Sequence, residues 1–120
     1  MKVERGNKMI TGNSESLLIE MVEGDWGEEL PLEIETESDI TSSDKFIIEI
    51  FKDIRSREPI ITKNYENIQE NTINFKLTQE ESEKLKVGTY FYNIDWYQEN
   101  KFLSNIVKSK MFKVSDKAGR

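Results

Sequence analysis

Along most of this chain apolar residues recur at every second position, the period of a strand with one buried face. The clearest run is residues 45–52 (KFIIEIFK): Phe46, Ile48 and Ile50 share one face, Ile47 and Phe51 the other. Residues 72–77 alternate cleanly, with Ile73, Phe75 and Leu77 inward. Residues 30–36 place Leu30, Leu32 and Ile34 together, and Pro31 belongs at a strand start or on an edge. Residues 15–22 read as a strand with Leu17, Ile19 and Met21 on one face. Residues 60–65 suit a sheet edge, given Lys63 and Asn64. From Thr89 onward, Tyr90, Tyr92, Ile94 and Trp96 form a continuous core face, and Phe91, Asn93, Asp95 and Tyr97 form its reverse. In the last strand, residues 102–115, the phase breaks. Ile106 shares parity with Phe112 and Val114, while Leu103, Val107 and Met111 have the other, so a β-bulge near residues 108–110 is expected.

One stretch departs from this period. Thr78 and Glu81 have the spacing of a capping box, with acidic Glu80 and Glu81 at the start and Lys84 and Lys86 after them. Its apolar content is small, so it predicts one or two helical turns that pin Leu85 under the sheets, with Gly88 as the C′ glycine. Gly12-Asn13-Ser14 is a turn, and residues 98–101 (QENK) form a hairpin turn. The chain then divides into a flexible arm over residues 1–13, with a short β stretch at 8–11, a β-sandwich domain over 14–115 and a frayed tail over 116–120. About seven antiparallel strands, one short helical turn and regular turn signals predict an all-β, immunoglobulin-like sandwich. The run Gly88-Thr89-Tyr90-Phe91-Tyr92 has the shape of the G-x-Y-x-C stretch of such domains. Tyr92 takes the cysteine position and Tyr90 that of a tyrosine corner, its hydroxyl tied to backbone upstream.

Composition narrows the chemistry. The 120 residues fit one domain with a core that needs no staple. There is no cysteine and no histidine, which removes disulfides, thiol nucleophiles, histidine-based triads and histidine metal ligands. A net charge of −6 repels phosphate backbones, so no nucleic-acid partner is expected. No apolar run reaches membrane-spanning length, and the first ten residues lack the apolar segment of a secretory signal. No nucleophile elbow, phosphate loop or dinucleotide fingerprint occurs. The expectation is a non-enzyme with no catalytic residue, no metal site and no cofactor.

Three aromatic residues are candidate contacts: Phe91 and Tyr97, on the face opposite the core, and Trp26. Trp26 lies among Asp25, Glu28 and Glu29 in the loop of residues 23–29 (EGDWGEE). It is expected to fold back over the end of the core, because tryptophan is highly buried on average. The alternative is an exposed aromatic for a sugar or a partner protein. Lys101, Lys108, Lys110 and Lys113 cluster on the last strand. They read as the solvent side of an edge strand, where lysine discourages stray pairing, or as a landing patch for an acidic partner.

Residues 45–114 resemble the N-terminal immunoglobulin-like domain of phage baseplate upper proteins, from the receptor-binding apparatus of phages of Gram-positive bacteria. The features that carry this are Phe75-Lys76-Leu77 running into Thr78-Gln79-Glu80-Glu81-Ser82, then Leu85, then Gly88-Thr89-Tyr90-Phe91-Tyr92-Asn93-Ile94, and a closing Phe112-Lys113-Val114. Asn93 stands where that family has aspartate, and Lys110-Met111 replaces a glycine region. The resemblance implies a structural module of the tail or particle surface, made in the host cytoplasm, that docks on other virion proteins and could also form homo-oligomers. The alternative is a carbohydrate- or receptor-binding module for host cell-wall glycan.

Overall fold

The computed structural model describes residues 1–3 and 10–116. The expectation of an all-β chain holds. Among the described residues nine strands form two sheets, with one five-residue helix, α1 (Gln79–Glu83), between the seventh and eighth strands. The strands are β1 (Lys2–Val3), β2 (Ile10–Gly12), β3 (Ile19–Val22), β4 (Leu30–Glu33), β5 (Asp44–Phe51), β6 (Ile61–Glu66), β7 (Thr72–Phe75), β8 (Gly88–Gln98) and β9 (Lys101–Ser115). The larger sheet runs β2-β3-β9-β8-β5-β6 and the smaller β1-β4-β7. Two details differ from the expected seven antiparallel strands. Short β1 and β2 add to the count, and β3 pairs with β9 in parallel.

One core joins the sheets. Leu30, Leu32, Ile73 and Phe75 from the smaller sheet meet Ile48, Tyr92, Ile94 and Phe112 from the larger, all at most 1% exposed. Phe75 and Phe112 touch edge to face across the layers, their centroids 6.1 Å apart. Burial alternates along β5 as the sequence predicts, with Phe46, Ile48 and Ile50 inward. β6 is the edge strand expected. Pro31 sits on β4 opposite Asn74 of β7.

The arm is not wholly loose. β1 pairs with β4, β2 pairs with β3, and Ile10 is buried at 3%, because its side chain completes the core beside Met21. Residues 4–9 of the expected arm and 117–120 of the expected tail lie outside the described residues. The first long strand is shorter than expected. Asn13 Oδ1 accepts the backbone N–H groups of Glu15 and Ser16 and holds them in a turn. Leu17 follows with φ +62°, so regular pairing begins only at Ile19.

Both halves of the capping box form: Glu81 N–H donates to Thr78 Oγ1, and Thr78 N–H donates to Glu81 Oε1. Lys84 caps the other end, so the helix stops earlier than a C′ glycine at 88 would require. Gly88 instead opens β8 opposite Val114 with φ +152°. Leu85 is fully buried, as predicted. The Tyr90 hydroxyl donates to Lys86 O and accepts from Lys86 N–H, both at 2.9 Å, which is the tyrosine-corner contact expected upstream of β8.

Candidate interaction surface

β5, β8 and β9 are long adjacent strands, so their outward side chains form a broad face. At one end Phe51, Phe91 and Met111 stand in one cross-strand row. At the other, Lys45, Tyr97 and Phe102 do, and the Tyr97 and Phe102 rings meet edge to face at 5.6 Å. Phe91 and Tyr97 are half-buried, because these neighbours cover part of each ring. Six residues of strand separate them, roughly 20 Å. The structure therefore places the two predicted contacts on one face but in two apolar platforms.

The ground between them is polar. Asp95 is 9% exposed although its position on β8 points away from the core. The β9 bulges crowd it, and Asn105 donates to its carboxylate. Burial raises its pKa, against the lowering effects of that hydrogen bond and of nearby Lys108. Glu49, across on β5, is also raised, first by burial and then by the Asp95 charge.

β9 is built unevenly. Between Tyr92 and Gln98 its register slips against β8 at three places, where one expected bulge becomes three irregularities. The expected one is present. Tyr92 pairs with Lys110 and Ile94 with Val107, and Ser109 between them adopts φ +52° and donates its N–H to Asn93 Oδ1 at 2.7 Å. β3 pairs only with Phe112 to Ser115 of β9, so among the described residues no strand covers that edge over 101–111. Lys101, Lys108, Lys110 and Lys113 are all exposed, beside Phe102, Leu103 and Met111 at 52%, 43% and 47%. β9 is thus an inner strand at its C-terminal end and an open edge along the rest.

Trp26 corrects the expectation of a folded-back ring, since it is 53% exposed. The loop backbone is tied to the strands by Asp25 N–H to Val22 O and Gly27 N–H to Leu77 O. Gly24 and Gly27 at φ +88° and +83° turn the intervening residues outward. Leu30 and Leu77 already close that part of the core at 1% and 3% exposure. The loop leaves the sheet where Glu23 N–H bonds Ser115 O, so Trp26 is not part of the β5–β8–β9 face.

Asp44 was not legible as a contributor. It is 1% exposed and accepts from Trp96 Nε1, Gln98 Nε2 and Thr41 Oγ1, each at 3.0 Å. Burial would raise its pKa, but these hydrogen bonds outweigh that and hold the carboxyl low. The available signal was Trp96 itself, because a buried indole N–H needs an acceptor. A wide cleft of about 820 Å³ lies beyond, bounded by Met1, Glu37, Trp96, Leu103 and Ile106. Among the described residues no three acidic side chains group to hold a metal ion, and no helix is long and apolar enough to cross a membrane. No protein-family model matches the chain, and no curated protein matches it either.

Proposed function

We propose that this chain is a non-catalytic docking module of a phage virion, an immunoglobulin-like sandwich that attaches to other virion proteins at the tail or baseplate. The observation that carries the docking reading is the outward face of β5, β8 and β9. It sets two apolar platforms, Phe51-Phe91-Met111 and Tyr97-Phe102, on either side of polar ground, next to an exposed lysine strand. Exposed apolar groups rimmed by polar ones mark interaction surfaces. The virion reading rests on the resemblance to baseplate upper proteins. The capping box at Thr78 and the corner at Tyr90 lend physical sense to the residues that carry it.

The test is an immunoblot for the chain on density-purified phage particles, beside the soluble lysate. Wild-type chain is expected in particles at fixed stoichiometry. The Phe91→Ser, Tyr97→Ser double variant is expected to keep its unfolding transition and lose the particle band. Wild-type signal confined to the lysate refutes the virion reading.

The exposure of Trp26 favours a second reading, a module for host cell-wall glycan, since exposed aromatics on loops stack on sugars. Trp96 is 6% exposed, so quenching of tryptophan emission reports mainly on Trp26. Saturable quenching by wall polysaccharide supports this reading, and a flat titration removes it.

A further inference from the structure

We infer that Glu49, together with the neighbouring Phe51 and Phe91 rings, receives an arginine side chain of a protein partner. This rests on reading the β5–β8–β9 face as a docking surface, and it names the group the partner brings to one end of that face.

Every other carboxylate on the outward side of β3, β5, β6, β8 and β9 has a lysine beside it. Glu66 of β6 stands opposite Lys45 of β5, and Glu20 of β3 stands opposite Lys113 of β9. Asp95 has Lys108 near enough to lower its pKa. Glu49 is the exception. Among the described residues it has neither a hydrogen bond nor an ion pair. Its cross-strand neighbours are Thr62 and Asn93. Asn93 reaches toward β9, where its Oδ1 accepts the Ser109 N–H. Glu49 is half-buried. Burial and then the Asp95 charge raise its pKa, and no described cation offsets them. A partner that covers this face takes Glu49 further out of water. Burying a charge without an opposite one is costly, so the partner must bring a cation.

The surroundings of Glu49 select which cation. Phe51 follows it two residues along β5 on the same side, and Phe91 stands opposite Phe51 on β8. Each is roughly 7 Å from Glu49 along the strand or on the diagonal. A guanidinium is planar and weakly hydrated, so it stacks on aromatic rings while its N–H fork meets a carboxylate. A lysine ammonium is a strongly hydrated point charge and gains less from the rings. A neutral sugar would stack there but leave Glu49 uncompensated. A polyanion is repelled by Glu49 and by the net charge of −6.

The test is a titration of the isotope-labelled chain, followed through its amide resonances, with N-acetyl-arginine amide and separately with its uncharged isostere N-acetyl-citrulline amide. The arginine probe is expected to shift the amides of Glu49, Phe51, Phe91 and Asn93 saturably, with a Kd on the order of 10 mM, as suits one surface ion pair with stacking. The citrulline probe should bind about fivefold more weakly, and so should the arginine probe to Glu49→Gln. Glu49→Gln should unfold no earlier than wild type, and Phe91→Ser should weaken the arginine probe as well. A flat arginine titration overturns the inference. So does equal binding of the citrulline probe, or binding that Glu49→Gln leaves unchanged. Wall polysaccharide that shifts these amides where the arginine probe does not also overturns it. The particle immunoblot scores the underlying reading separately. A chain that enters particles yet ignores the arginine probe keeps the docking reading and loses this anchor. A chain that binds the probe yet stays in the lysate keeps the anchor and loses the virion reading.

Discussion

Ser82 is 2% exposed in α1, and its Oγ finds no hydrogen-bond partner among the described residues. A buried hydroxyl without a partner is destabilising, and alanine is the better helix former. Ser82→Ala is expected to raise stability by about 1 kcal/mol in urea unfolding. A loss of stability would mean that the hydroxyl has a partner in solution. Asp95 gives a pH signature. Its pKa is raised from the ordinary 3.8, so the fold disfavours its charged form. Relative to the unfolded chain, that penalty is present in full above the folded value and is relieved as pH falls through it. Asp95→Asn keeps an acceptor for Asn105 and removes the charge facing Glu49. The variant should melt higher than wild type near pH 7, by a margin that shrinks toward about pH 4. A margin independent of pH would refute this account. Neither residue stood out in the sequence. One is a serine among acids, and the other was assigned to an outward face that the bulges of β9 close over.

At the scale of elements, local patterns were read well where a local force decides them. The capping box at Thr78 and Glu81 needs only residues three apart. The two-residue turn at Glu99 and Asn100, with φ +50° and +65°, has the positive φ at both positions that a two-residue hairpin loop favours, because that twist matches the twist of the strands. The Ser109 bulge was visible as a broken phase. Two further slips in β9 were not, because each is accommodated by the register against β8. Glu81 shows how an element gains a second role. Its Oε1 also accepts Lys63 Nζ from β6 at 2.7 Å, so the helix cap is tied to the sheet edge. Burial would raise the Glu81 carboxyl, but the Lys63 and Thr78 bonds hold it low. Glu81→Ala should therefore lose about 1–2 kcal/mol, more than an isolated cap residue at the surface. A change indistinguishable from zero in chemical unfolding would show that the tie contributes nothing.

For the molecule as a whole, Tyr92 joins the most parts. It is fully buried on β8, meets Phe112 of β9 edge to face at 6.4 Å, and donates its hydroxyl to Leu17 O before β3. Tyr92→Ala should cost about 3–5 kcal/mol, as aromatic core deletions do. A small shift in the unfolding midpoint would refute its place in the core. The inward set was legible because a period of two leaves each strand one way to hide its apolar side. That reasoning found Phe46, Ile48, Ile50, Tyr90, Tyr92, Ile94 and Trp96, all buried. It could not rank the surface. Phe91 and Tyr97 were placed outward correctly, but their neighbours Met111 and Phe102 come from a strand whose register depends on three bulges.

The sequence by itself determined the strand periods, the buried face of each strand, the helix cap and the absence of cysteine and histidine chemistry. Each follows from residue identity or from neighbours a few positions apart. Tertiary structure alone decided the parallel pairing of β3 with β9, the open edge of β9, the outward turn of Trp26 and the burial of Asp44 and Asp95. Those depend on which distant backbones meet and how the core fills, and many pairings of the same strands satisfy the same alternation of apolar and polar residues.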